Sequence, residues 1–133
     1  MAQATTKTKA HREFYRIDLE GGWSQIEGYP EGMVYRTLAD DLDDAARTGS
    51  RTRLIRWPAG SVLPEAVIHE TAEEVYVLEG DLVVTDAATG RETAFPAHSY
   101  ACRPGHVWHG PFRTETGCLL LEIHAYPAGE SGG

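Results

Sequence analysis

Residues 69–80 read HETAEEVYVLEG. His69 and Glu73 stand four positions apart at the head of an apolar alternation that closes on Gly80. In a strand, that alternation puts Glu73, Val75 and Val77 on one face and Glu74, Tyr76 and Leu78 on the other. If the first face looks into a barrel, Glu73 points inward at its mouth. A carboxylate there is costly to bury unless it is paired or holds a cation. A register slip of one residue would hand that place to Glu74. LEGDLVV follows directly, so strands over 74–79 and 82–86 are expected to form a hairpin turning at Gly80-Asp81.

Outward from this stretch the same texture continues. Short apolar or alternating runs predict strands at 14–19, 33–38, 51–57, 91–95, 99–103 and 117–125. Between them lie Gly21-Gly22, Tyr29-Pro30-Glu31-Gly32, Pro58-Ala59-Gly60, Thr89-Gly90, Pro104-Gly105 and Gly110-Pro111. Turn residues at that density imply an all-β sandwich or barrel. One segment, LADDLDDAAR (38–47), has the residues for a helical turn or two, and an acidic surface loop is the alternative. The polar residues 1–12 are expected to be a flexible tail, and 13–133 a single domain without internal repeats.

Composition narrows the partners. Twelve basic residues against twenty acidic ones give a net charge of −8. That argues against nucleic acid, whose phosphates need clustered Lys and Arg, and against an anionic membrane surface. No apolar run approaches the roughly 20 residues that span a bilayer. With no apolar leader and only Cys102 and Cys118, reduced core thiols and a cytoplasmic location are expected.

Five of the six histidines (His69, His98, His106, His109 and His124) fall in the second half, with His11 in the tail. A Pro-Gly turn precedes His109 and can return its segment beside the His69 stretch. Two imidazoles and a carboxylate, here His69, His109 and Glu73, match the 2-His-1-carboxylate triad. That triad leaves coordination positions open for substrate, dioxygen or water.

The segments GSVLPEAVIHETAEEVYVLEG (60–80) and HSYACRPGHVWHG (98–110) resemble the two motifs of the cupin superfamily. The first family motif runs His-x-His, three or four residues, Glu, six residues, Gly; here His69, Glu73 and Gly80 keep that spacing. The second runs Gly, five residues, Pro-x-Gly, two residues, His; Pro104 and His109 keep the Pro-to-His distance. The resemblance implies a double-stranded β-helix, the cupin jelly-roll barrel. It also implies a divalent metal, Fe(II) first and Mn, Ni or Zn as alternatives, on His69, Glu73 and His109.

This chain departs from the pattern where it matters for chemistry. Val67 stands where the first motif histidine belongs. His98 takes the usual glycine position of the second motif, and His106 replaces the inner glycine. One of the four usual ligands is therefore missing, with His98, His106 and His124 as possible substitutes.

Glu73 and His109 are the expected catalytic groups. Without metal, His109 or His69 would serve as general base or hydrogen-bond donor. Trp108, Tyr76, Arg53 and His124 are candidate substrate contacts. Arg53 and Arg56 have opposite strand parity, so only one of them should face the pocket.

The resemblance implies a small metal-dependent enzyme of dioxygenase type, acting on a small diketone- or enolate-like substrate that chelates through oxygen. The alternative is a metal-free or metal-optional isomerase, cyclase or ligand-binding module. A homodimer is implied in either case.

Overall fold

Gly, Pro and Asp interrupt the chain too often for a long helix, and none forms among the described residues, 9–127 of a computed structural model. Nine strands form instead: β1 (Ser24–Gln25), β2 (Val34–Asp40), β3 (Ser50–Trp57), β4 (Val62–Leu63), β5 (Ala72–Thr85), β6 (Glu92–Pro96), β7 (Tyr100–Arg103), β8 (Phe112–Arg113) and β9 (Cys118–Ala125). Their order in the sheet is β1-β2-β3-β9-β5-β8-β4, with β6 and β7 also paired to β5. All the pairings are antiparallel, and the curled sheet is a jelly-roll barrel. No helix of the described residues is long and apolar enough to cross a membrane.

The expected hairpin at Gly80-Asp81 is not there. β5 runs straight through as one strand of 14 residues. Its first half pairs with β9 and β7, its second half with β6 and β8. Gly80 makes this passage possible. Its φ is +81° and an added Cβ would lie 1.9 Å from the Gly117 carbonyl oxygen, so the chain twists from one sheet to the other where only glycine fits. Asp81 then holds the neighbouring loop. Its carboxylate accepts bonds from the Thr116 and Glu115 amides and the Thr114 and Thr116 hydroxyls, at 2.6–3.1 Å.

Two further expectations fail for physical reasons. Residues 14–19 form no strand: Phe14 is fully exposed and Tyr15 exposed as well, and their apolar side chains have no core to face. Leu38–Asp40 finishes β2 instead of starting a helix, and Asp43 pairs with Thr48 across a turn. The aspartates cap this turn, Asp40 on Leu42 N–H, Asp43 on Ala46 N–H and Asp41 on Ser50 N–H, which competes with helical bonding. Most of the expected 1–12 tail lies outside the described residues.

Inward-facing residues of β3, β5 and β9, among them Ile55, Trp57, Val77, Leu82 and Leu120, build the core together with Met33 and Phe112. Cys118 belongs to it, and burial pushes its thiol up to about 12. Cys102 does not: it lies on the exposed outer face of β7.

Candidate metal centre

The registers decide what meets inside. β5 and β9 place Glu73 opposite His124 and Val75 opposite Glu122, while β5 and β7 place Glu73 opposite Arg103. His69 precedes β5, and a two-bond bridge between Val67 and His109 carries His109 in beside it.

Three imidazoles therefore converge on one buried carboxylate. His124 Nε2 lies 2.9 Å and His69 Nε2 4.0 Å from Glu73 Oε2; His109 Nε2 lies 3.4 Å from Oε1. His69, Glu73 and His124 each offer a ligand atom, all within 4.8 Å of one another. The ring centroids of His109 and His124 lie 5.0 and 4.9 Å from that of His69.

The donor chemistry fits a cation. His109 Nδ1 lies 3.1 Å from the Val107 carbonyl, an acceptor, so Nδ1 carries the proton and Nε2 keeps its lone pair. That Nε2 is buried and has no hydrogen-bond partner, and it faces a carboxylate oxygen that is itself only an acceptor. A metal ion would take up the histidine lone pair, which the carboxylate cannot. Burial lowers the pKa of His109 and of His69, the latter helped by nearby His124, which keeps both rings in the neutral form that metals bind.

A second layer of charge surrounds these groups. Arg103 donates to Glu73 Oε1 at 2.9 Å. Arg53 donates to Glu122 Oε1 at 2.5 Å, and Arg51 reaches His124 Nδ1 at 3.3 Å. Burial opposes the Glu122 carboxylate, but His124 and Arg53 outweigh it and hold its pKa below the usual carboxylate range. For His124, burial opposes the imidazolium, yet Glu122 and Glu73 push its pKa up to about 9.

Two spaces meet at this cluster. An apolar chamber of about 220 Å³ lies inside the barrel, lined by Trp57, Val67, Val75, Val77, Phe112 and Leu120, with His69, Glu73, His109, Arg53 and Arg103 at its polar end. A polar cleft of about 710 Å³ is lined by Arg51, Glu70, Thr71, His124 and Tyr126. Tyr29, Arg53 and His69 border both.

The other candidate residues lie elsewhere. Tyr76 is on the outer face of β5, its hydroxyl 2.8 Å from His98 Nδ1. Trp108 is 66% exposed and lines neither space. Glu74 is outside too, accepting from the Tyr100 hydroxyl. His98 and His106 are exposed turn residues with φ of 71° and 64°. Of the parity pair, Arg53 faces inward, whereas Arg56 bonds the Leu19 carbonyl and stacks on Trp23. Sequence reasoning overlooked Arg51, Arg103 and Glu122; the parity of Glu122 with Leu120 and His124 was the available signal.

A jelly roll closing over a His-Glu-His cluster defines a cupin. Residues 23–126 match the family model described as the ChrR cupin-like domain, and the chain belongs to that family. No curated protein matches the chain. Solved structures share the fold. An acetylacetone dioxygenase from Acinetobacter johnsonii is 17% identical with a TM-score of 0.66, covering 93% of this chain and 80% of the other. The polyketide cyclase RemF from Streptomyces resistomycificus is 22% identical, TM-score 0.65, covering 86% and 81%. An RmlC-like cupin from Shewanella frigidimarina is 19% identical, TM-score 0.64, covering 90% and 96%.

Proposed function

We propose that this protein is a small metal-dependent enzyme that takes a diketone- or enolate-like oxygen chelator into the barrel, with chemistry of the dioxygenase type. The observation that carries this reading is the buried, unpartnered Nε2 of His109 facing Glu73. His69, Glu73 and His109 would hold the metal, and His124, giving up its Nε2 proton to the solvent, would take the place left by Val67. A bound Fe(II) would supply polarisation of the chelating oxygens and redox chemistry with dioxygen.

The protein's own groups do the rest. Arg103 fixes the Glu73 carboxylate by its bond to Oε1, and the Val107 carbonyl fixes the His109 tautomer. Arg53, at the polar end of the chamber, is placed to balance a substrate's developing negative charge. The apolar lining excludes water from the reacting end. The neighbouring acetylacetone dioxygenase supports the reaction class by likeness of fold.

Metal analysis of unchelated protein tests this, wild type beside His69→Ala. Near-stoichiometric iron, manganese, nickel or zinc lost in the variant is expected. Full occupancy in the variant, or none in either protein, refutes the assignment.

A second reading rests on one observation: Arg103 and His124 already satisfy both oxygens of Glu73. On this reading the site is a metal-free isomerase, cyclase or binding pocket, with His109 Nε2 as the base. We further read the protein as a homodimer, which sedimentation as a monomer at micromolar concentration would remove.

A further inference from the structure

The residue that breaks the motif lines one space, and the residue that replaces it lines the other. Val67 is part of the apolar chamber wall and not of the polar cleft. His124 lines the cleft and not the chamber, and its ring is held there by Arg51 at Nδ1 and Glu73 at Nε2. His69 borders both spaces. Exchanging a histidine at 67 for one at 124 therefore does more than conserve ligand number. It removes a donor from the chamber side and adds one on the cleft side.

Size and lining define what the chamber accepts. An apolar cavity of about 150 Å³ is enough to hold benzene. This chamber, at about 220 Å³, has room for one six-membered ring and a short arm. Apart from its His, Glu and Arg residues and Ser99, the lining is aliphatic and aromatic.

We propose that the pairing of Val67 with His124 turns the open side of the metal toward the apolar chamber, so that the substrate is a bidentate oxygen chelator carrying a single-ring-sized apolar group. Val67 is then a specificity-determining residue, and the apolar group packs against it. This rests on the metal-site reading above.

The test uses two chelators with one head group: benzohydroxamate, with a phenyl ring, and acetohydroxamate, with a methyl. Each is titrated into cobalt(II)-loaded protein and followed by the visible spectrum of the metal. Burying the ring should favour benzohydroxamate on the order of 50-fold in the wild type. Val67→His should keep cobalt and reduce that preference to below about fivefold, because the imidazole occupies the chamber side. Val67→Phe, which adds no ligand, should keep cobalt and acetohydroxamate binding but lose benzohydroxamate binding. His124→Ala should weaken cobalt binding and leave the preference intact, since it faces the cleft.

Equal binding of the two chelators by cobalt-loaded wild type, or an undiminished preference in both Val67 variants, overturns the inference and leaves the metal site standing. Failure of wild type to bind cobalt overturns both.

Discussion

Glu122 offers a direct measure of how strongly the charged layer beneath the site is held together. It is buried on β9, with Oε1 at 2.5 Å from Arg53 Nε and 3.9 Å from Arg51 Nη2, and Oε2 at 3.5 Å from His124 Nε2. Glu122→Gln keeps the shape and removes the charge, leaving two guanidinium groups without their buried counter-ion. Removing one partner of a buried pair costs about 3–5 kcal/mol. The Arg53 side chain is still 12% exposed, so some water reaches it and the lower end, about 3 kcal/mol, applies. For a chain of this length each kcal/mol moves the melting temperature by about 3–5 °C, giving a drop of roughly 10 °C. The assay is thermal unfolding by circular dichroism on chelator-treated protein, so that metal binding does not enter. The double variant Glu122→Leu, Arg53→Leu should recover part of this loss, since it removes the Arg53 pair whole and leaves only Arg51 and His124 without the carboxylate. A Glu122→Gln protein melting within about 2 °C of wild type would refute the reasoning, because the network would then be solvated and set nothing.

Three further outcomes follow from other parts of the fold. Slight burial opposes the Asp81 carboxylate, but its bonds from Thr116, Glu115 and Thr114 outweigh this and bring its pKa to about 2. A depressed carboxylate stabilises fully above its unfolded pKa of about 4, and that contribution disappears as pH falls through the folded value. Asp81→Asn should therefore melt a few degrees below wild type at pH 7, with about 1 kcal/mol lost after allowing for solvent screening, and the gap should close toward pH 2; a gap constant with pH contradicts the assignment. Gly80→Ala should cost several kcal/mol more than Gly28→Ala in urea unfolding. Both have φ near +80°, but only the Gly80 methyl meets a backbone oxygen, at 1.9 Å, while Gly28 has open space; equal costs would mean the strand passage is loose. Tyr76→Phe should leave hydroxamate binding to cobalt-loaded protein unchanged within about twofold, since its hydroxyl is outside the barrel; a tenfold loss would place Tyr76 in the ligand's path.

Strand periodicity and turn chemistry carried much of the fold. The alternation in β5 and the runs that became β2, β3, β7 and β9 are side chains facing a core, and a core leaves a period-two trace. The two-residue strands β1, β4 and β8 leave none. Gly80-Asp81 misled because a glycine with positive φ serves a hairpin and a twisted strand passage alike. At the site, His69, Glu73 and His109 could be picked out because they fall in the two segments that resemble the cupin motifs, spacing alone being a weak signal. His124 could not be chosen over His98 or His106. Its place depends on β9 pairing with β5 across 51 residues, a long-range register that no local spacing records. Arg103 was hidden for the same reason: only the register with β5 sets it opposite Glu73.

The position of β9 has a consequence in time as well as in space. It is the last strand of the described residues, yet it lies between β3 and β5, each paired with it along eight residues. Until β9 is synthesised, β3 and β5 face one another across a missing strand, with open edges that invite pairing with other chains. His124 and Glu122 arrive on that same strand. Closure of the sheet and completion of the charged cluster both wait on this strand, and a chain stalled before β9 has neither a sealed barrel nor a finished site.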